Sequence, residues 1–146
     1  MTRRIFLDSS VIIAGTVSTL GSAHAVIRMG EIGLFTIVVS TTVLNECQDN
    51  IQRKIPKSMP YFVDIFLSIQ PEILPDPSPE ESLIWEAVIE RKDAPILAAA
   101  VKGKVDRLLS WNTKHFTPEV GKAAGIIIQT PGDFMQEARK IFTAGL

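Results

Sequence analysis

Cysteine and histidine are scarce in this sequence, which limits the kinds of site it can build. The single cysteine, Cys47, cannot form a disulfide within the chain. A disulfide-stabilised scaffold is therefore excluded, and a reducing, cytoplasmic location is expected. The only histidines are His24 and His115, too few for a structural zinc site built from Cys and His.

Long apolar runs and an excess of positive charge are also missing. No stretch approaches the ~20 consecutive apolar residues of a membrane-spanning helix, so no membrane association is expected. The first residues lead into a short strand and Asp8 rather than into a signal-peptide core. Lys and Arg total 15 and Asp and Glu total 16, a net charge of −1. This balance excludes a strongly basic nucleic-acid-binding protein but not a local basic face.

The chain length and the pattern of apolar runs predict one α/β domain over residues 1–146. At roughly 150 residues per domain, 146 residues make a single domain. Five short apolar runs that do not alternate with polar residues predict buried parallel strands; they are residues 5–7, 35–39, 72–74, 107–110 and 126–128. Helical patterns lie between them at 22–29 and 59–69, and further helix starts follow Thr41 or Thr42, Ser78, Asp93, Thr117 and Thr130. The alternation predicts helices on both faces of a central parallel sheet of about five strands.

Polar side chains follow the predicted strands where a ligand site of an open α/β sheet is expected. Asp8 ends the first strand, and Glu46 lies about one helical turn beyond the residues that follow the second. Asn112 and its neighbours follow the fourth strand, and Asp93 begins the helix that leads into it. We therefore expect three carboxylates and an amide to meet at one edge of the sheet.

Each of these acidic residues also has a simpler interpretation. Asp8 and Asp93 are both suited to capping a helix N-terminus, and the helical periodicity around Glu46 by itself favours an exposed position. Taken together they favour a metal site, because clustered carboxylates repel one another unless a cation is present. Oxygen ligands without Cys or His suit Mg²⁺ or Mn²⁺, which can activate water for phosphodiester cleavage.

Four segments that contain these residues resemble the PIN-domain (PilT N-terminus) nucleases, including the VapC-type toxins. The segments are 6–13 (FLDSSVII), 43–46 (VLNE), 92–100 (KDAPILAAA) and 106–116 (DRLLSWNTKHF). The resemblance implies a three-layer α/β/α PIN-like fold and an endoribonuclease that depends on Mg²⁺ or Mn²⁺. It also implies that Asp8 and Asp93 ligate the metal and that Glu46 binds it directly or through water. Ser10 would steady Asp8, and Asn112 would complete the catalytic set.

The last segment departs from the family pattern, which often has an acidic residue directly before the phenylalanine. His115 stands at that position and Asn112 is an amide, so the fourth negative charge is missing. Asn112 can still hold a ligand water, and His115 can contact phosphate. The departure leaves open a second interpretation, a weak or inactive PIN-like domain that binds RNA or protein. A haloacid-dehalogenase-like phosphatase would need a second Asp where Ser10 stands.

The resemblance and the residues near the expected site also suggest partners. Lys92 and Lys114 are candidates for contacting RNA phosphates, and Trp111 is a candidate either for base stacking or for a partly buried anchor. The toxin-like resemblance implies an antitoxin protein and a homodimer or higher homo-oligomer. The apolar residues Phe62, Ile65 and Phe66 can face such a partner or belong to the core.

Overall fold

Five strands form one parallel sheet in the computed structural model, which describes residues 3–145. The sheet order is β3-β2-β1-β4-β5, and every neighbouring pair is parallel. The strands are β1 (Arg4–Leu7), β2 (Thr36–Ser40), β3 (Glu72–Leu74), β4 (Arg107–Leu109) and β5 (Ile127–Gln129). The predicted α/β/α fold with a five-stranded parallel sheet is confirmed.

Helices provide all the connections between these strands, apart from short 3₁₀ turns at Pro56–Ser58 and Ile84–Ala87. In chain order they are α1 (Ser9–Val17), α2 (Ser22–Glu31), α3 (Thr41–Lys54), α4 (Met59–Ile69), α5 (Pro79–Leu83), α6 (Ala94–Lys102), α7 (Pro118–Ala124) and α8 (Pro131–Gly145). The chain winds from β1 outward through β2 to β3, then crosses to β4 and β5 on the other side. Because parallel crossovers are right-handed as a rule, crossovers that run in opposite directions from β1 place helices on both faces of the sheet.

The order of the strands reverses between β1 and β4, and this reversal positions the site. The two strands are adjacent, with Leu7 paired to Leu109 at their carboxyl ends. Connections leave these two ends in different directions, so a crevice opens beyond them. Asp8 and Ser110 are the first residues after the paired ends.

The core lies along β1 and β4, because both strands are covered on both faces. Phe6, Leu7, Leu108 and Leu109 are completely buried. This explains why their runs are continuously apolar rather than alternating. The residues that follow these strands are therefore held by a rigid, close-packed layer.

Most helix N-caps lie at their predicted residues, but one cap was assigned to the wrong residue and one helix was not predicted. Ser78 forms the predicted capping box with Glu81, and Thr117 caps α7 by accepting from the backbone N–H of Val120. The cap of α3 is Ser40, whose hydroxyl accepts from the N–H of Val43, so the assignment to Thr41 or Thr42 is wrong by one residue or more. The sequence pattern did not predict α1, because its residues are apolar on most sides and show no helical face.

No single helix among residues 3–145 is long and apolar enough to cross a membrane, and the one helix combination with suitable length and composition is the sharply bent pair α1 and α2.

We expect Cys47 to be unreactive in the native protein. Its side chain is fully buried on α3, and burial raises the pKa of its thiol far above the ordinary range, with Asp8 and Glu46 adding to the effect. Maleimide labelling followed by mass spectrometry should give no adduct in buffer and complete labelling in denaturant. Rapid labelling of the folded protein would contradict this placement.

Candidate metal centre

Asp8 begins the site at the carboxyl end of β1. Its backbone N–H donates to the carbonyl oxygen of Leu109 (3.0 Å), which continues the pairing of β1 with β4. Its side chain is 5% exposed and makes no capping hydrogen bond to α1. Oδ2 instead accepts from the hydroxyls of Ser110 (2.7 Å) and Ser10 (3.0 Å). The N-cap interpretation of this carboxylate is therefore wrong.

Asp93 lies at the start of α6 and likewise makes no side-chain capping bond. It is 8% exposed, and its Oδ2 lies 2.6 Å from Nδ1 of His115. The amide nitrogen of Asn112 lies 3.2 Å from the same ring nitrogen. The turn after β4 thus holds Asp93 from one side, through His115 rather than through a bond to its own helix.

Glu46 reaches the same place from α3. Its side chain is half-buried, and Oε2 accepts from the hydroxyl of Ser9 (3.0 Å). The exposed helical position that periodicity favoured is therefore wrong. Ser9 belongs to the first turn of α1, so this hydrogen bond fixes Glu46 next to the residue that follows Asp8.

These side chains share one cavity of about 340 Å³. The residues that line it are Asp8, Ser9, Ser10, Ile13, Glu46, Asn50, Lys92, Asp93 and Asn112. Three carboxylates from three distant segments therefore surround a single open space at the point where the strand order reverses. Lys92 supplies positive charge within the lining.

Burial and mutual repulsion raise the pKa of two of these carboxyls. For Asp8 the main cause is burial, which the hydrogen bonds from Ser110 and Ser10 partly offset, and the charge of Asp93 adds to the rise. For Glu46 burial again dominates, with Asp8 and Asp93 raising the pKa further and Ser9 and Lys92 lowering it. The ionised cluster therefore carries more negative charge than its protein surroundings compensate.

In the metal-free protein we expect these carboxyls to reduce stability as the pH rises. A carboxyl whose pKa is raised by folding stabilises the folded state fully below its unfolded-state pKa, and this contribution is lost as the pH rises through its folded-state pKa. Urea unfolding between about pH 4 and pH 8, compared for wild type and Asp8→Asn, isolates the contribution of Asp8. The wild type should lose stability relative to the variant as the pH rises. A constant difference would contradict the raised pKa.

The donor set suits a hard divalent cation, although its ligands are not all in place. Among residues 3–145, no three side chains of His, Cys, Asp or Glu form a group that can hold a metal ion as they stand. Mg²⁺ is usually bound through one or two carboxylates and keeps several waters. The uncompensated charge and the oxygen lining fit such an ion, provided that water completes its ligands.

Three polar residues of the site were not assigned to it from the sequence. Ser9 and Ser110 each donate to a site carboxylate, and Asn50 lines the cavity and donates to the backbone oxygen of Glu46 (2.8 Å). Ser110 ends the predicted fourth run (107–110), and a serine at a strand end has many roles. The spacing of Asn50, one turn after Glu46, was the available signal.

The other predicted residues lie around the cavity in different ways. Ser10 and Asn112 line it, as does Lys92. His115 and Lys114 line an adjoining cavity of about 450 Å³, together with Arg91 and Thr117. Trp111 is 41% exposed, and its backbone N–H donates to the hydroxyl of Ser10 (3.0 Å). The ring is therefore partly open to solvent next to the site.

The chain is similar to proteins of a recognised family and to several solved structures. The family model described as "PIN domain" matches residues 4–114, which include every acidic residue of the site. No curated protein sequence matches.

Among solved structures, the similarity extends over most of each chain. VapBC2 from Rickettsia felis, solved bound to a DNA fragment from its promoter, has a TM-score of 0.63 at 20% identity, with 87% of this chain and 98% of that chain covered. VapC20 from Mycobacterium tuberculosis, described as a toxin that cleaves the sarcin-ricin loop, has a TM-score of 0.56 at 19% identity, with coverage of 84% and 96%. PAE2754 from Pyrobaculum aerophilum has a TM-score of 0.64 at 14% identity, with coverage of 94% and 90%. At these identities the similarity establishes the fold alone.

Proposed function

We propose that this chain, which belongs to the PIN-domain family, is an endoribonuclease that hydrolyses phosphodiester bonds of RNA with Mg²⁺ or Mn²⁺. The observation that carries the proposal is the cavity lined by Asp8, Glu46 and Asp93. Buried carboxylates are costly unless a cation compensates them. Two buried carboxylates and one half-buried carboxylate around one space at the ligand-binding edge of the sheet would destabilise a protein that binds no cation there.

Each polar residue of the cavity has a part in holding the ion and the substrate. Asp8 and Asp93 would ligate the ion directly, and Glu46 would do so directly or through a water. A bound divalent ion supplies charge stabilisation to the phosphoryl group and lowers the pKa of a bound water. Ser10 holds the orientation of Asp8, and Asn112 can hold a ligand water by its side-chain amide. The close-packed strands beneath keep these groups in place during the reaction.

The surroundings of the cavity favour a polyanionic substrate. Lys92 in the lining offsets part of the acidic charge, and Lys114 in the adjoining cavity can contact a neighbouring phosphate. Trp111 offers an exposed aromatic surface on which an unpaired base can stack. His115 lines the adjoining cavity next to Lys114 and can contact phosphate there.

We further propose that the protein acts as the toxin of a toxin–antitoxin pair and associates with itself. The fold similarity to VapBC2 and VapC20 motivates the first part. Helix α4 exposes Tyr61, Val63 and Leu67, an apolar surface of the kind that partner proteins cover. Phe62, by contrast, is buried and belongs to the core, and Ile65 packs partly against it. Co-expression with the protein of an adjacent gene and light scattering of the purified chain test the two parts.

The decisive experiment is RNA cleavage by the purified chain. Incubation of a mixed RNA substrate with Mn²⁺ or Mg²⁺ should give discrete fragments, and excess chelator should abolish them. Asp93→Asn should be inactive under the same conditions, because an amide cannot supply the charge that the ion requires. Cleavage that survives the chelator, or equal cleavage by the variant, would refute the proposal.

A second candidate function is a PIN-like domain that binds RNA or protein without cleaving it. It is favoured by the amide and imidazole of Asn112 and His115, and by the lack of a ready-made three-residue ligand group among residues 3–145. Mn²⁺ titration by calorimetry separates the two functions. Tight binding that disappears in Asp8→Asn supports the nuclease, whereas RNA binding without any ion supports the binding domain.

A further inference from the structure

Each carboxylate of the cavity has one oxygen already engaged by a protein donor. Oδ2 of Asp8 accepts from Ser10 and Ser110, and Oε2 of Glu46 accepts from Ser9. Oδ2 of Asp93 is engaged by His115. The backbone N–H of Ser9 also donates to the Asp8 carboxyl. A carboxylate has about four lone-pair positions, so each of the three groups can bind a cation while it keeps these hydrogen bonds.

The contact between His115 and Asp93 differs from the others because a ring nitrogen, not a serine hydroxyl, faces the carboxylate. A carboxylate oxygen only accepts hydrogen bonds, so Nδ1 of His115 carries the proton in this 2.6 Å contact. The amide nitrogen of Asn112, 3.2 Å from the same ring nitrogen, is also a donor and therefore makes no hydrogen bond to it. The ring comes from the turn after β4, whereas Asp93 begins α6, and the hydrogen bond joins these two segments across the cavity wall. Phe116, which follows His115, is buried in the core, and this anchors the turn that carries the ring.

We infer that His115 is a positioning residue for Asp93 and that it limits the cavity to a single divalent ion. This inference rests on the metal-dependent part of the proposed function. Three carboxylates, with three negative charges, around one cavity are sufficient for one ion that keeps several waters. Two ions about 4 Å apart would bring four positive charges and need bridging and terminal carboxylates on both sides.

The position of His115 explains why we expect only one ion in the cavity. An acidic side chain at this place would lie beside Asp93 and add a fourth carboxylate next to the cavity. The imidazole instead contributes an N–H donor, which hydrogen-bonds to Oδ2 of Asp93 and offers no oxygen of its own. Removing the hydrogen-bonding partner of a metal ligand commonly weakens metal affinity about 10- to 100-fold.

The test counts Mn²⁺ ions per chain by native mass spectrometry and measures affinity by calorimetry. The wild type should bind one ion. His115→Ala should still bind one, but about tenfold more weakly, and His115→Gln, which keeps an N–H donor, should stay close to the wild type. His115→Asp should bind a second ion. His24→Gln is the matched control, since His24 contacts the backbone oxygen of Gly15 away from the cavity, and it should match the wild type.

Several results would overturn the inference. They are two ions in the wild type, unchanged affinity in His115→Ala, or a single ion in His115→Asp. The ion count of the wild type tests the single-ion part even if a variant fails to fold. A chain that binds one ion yet cleaves no RNA would defeat the proposed function and leave this inference intact. A chain that cleaves RNA with two ions would support the proposed function and defeat this inference. A chain that binds no ion would defeat both proposals.

Discussion

Replacing Asp8 with Asn should reduce RNA cleavage at least about a thousandfold, equivalent to ~4 kcal/mol of transition-state stabilisation. Asp8 lies deepest in the cavity, 5% exposed, and its carboxylate is held by two serine hydroxyls. The amide oxygen of Asn can accept the same two hydrogen bonds, so the local structure should survive. What is lost is the negative charge that holds the ion.

The same substitution should raise the stability of the metal-free protein near neutral pH. Burial and the charge of Asp93 raise the pKa of Asp8, so its ionised form destabilises the fold, and the neutral amide removes that cost. Thermal unfolding in chelator should therefore show a melting temperature above that of the wild type. Opposite effects on activity and stability are typical of functional residues.

A matched control for this variant is available on α3. Asp49→Asn also removes one negative charge, but Asp49 is exposed and paired with Arg53, so cleavage and metal affinity should not change. Activity of Asp8→Asn within about tenfold of the wild type, equal to ~1.4 kcal/mol, would be incompatible with a metal-ligand role. A fall in the melting temperature of the metal-free variant would contradict the raised pKa.

Replacing Ser110 with Ala should reduce cleavage about 10- to 100-fold, as expected for a residue that supports a metal ligand. Ser110 is almost fully buried. Its hydroxyl donates to Oδ2 of Asp8 and accepts from the backbone N–H of Asn112 (3.0 Å). The alanine variant loosens both the ligand and the turn that carries Asn112. It also removes the acceptor of the partly buried N–H of Asn112, at a cost of about 1 kcal/mol of stability.

The rate of RNA cleavage and the free energy of chemical unfolding, both measured for Ser110→Ala, test this role directly. Ser68→Ala, at an exposed position on α4, is the control and should behave as the wild type. The decisive quantity is the apparent affinity for Mn²⁺, which should weaken in Ser110→Ala even where the protein remains fully folded. A loss of stability without any change in metal affinity would reduce Ser110 to a purely structural residue.

The sequence predicted the helices and strands of the fold much better than the roles of the polar residues that follow the strands. The continuous apolar runs of β1 and β4 predicted buried parallel strands because their local composition directly reflects burial on both faces. The bounds of β1, β2, β4 and β5 differ from the predicted ones by one residue at one end or at both, since a strand end depends on the neighbouring strand. Helix α1 was not predicted, because its residues are apolar on most sides and lack the polar face that normally identifies a helix.

The site could be predicted as a set of residue types but not as a geometry. Asp8 and Asp93 occupy N-cap positions in sequence, yet both turn away from their helices, and only the positions of Ser110 and His115 explain why. Those partners are distant in the chain and become neighbours through the β1–β4 pairing. Glu46 shows the same limit, because its burial depends on Ser9 of another helix.

A crystal soaked in Mn²⁺ shows whether these carboxylates hold an ion, because anomalous scattering locates the ion independently of any activity. We expect one anomalous peak per chain in the cavity, in direct contact with oxygens of Asp8 and Asp93 and linked to Glu46 directly or through water. A cavity without anomalous density at saturating Mn²⁺, or a peak at a site that does not involve these carboxylates, would contradict it.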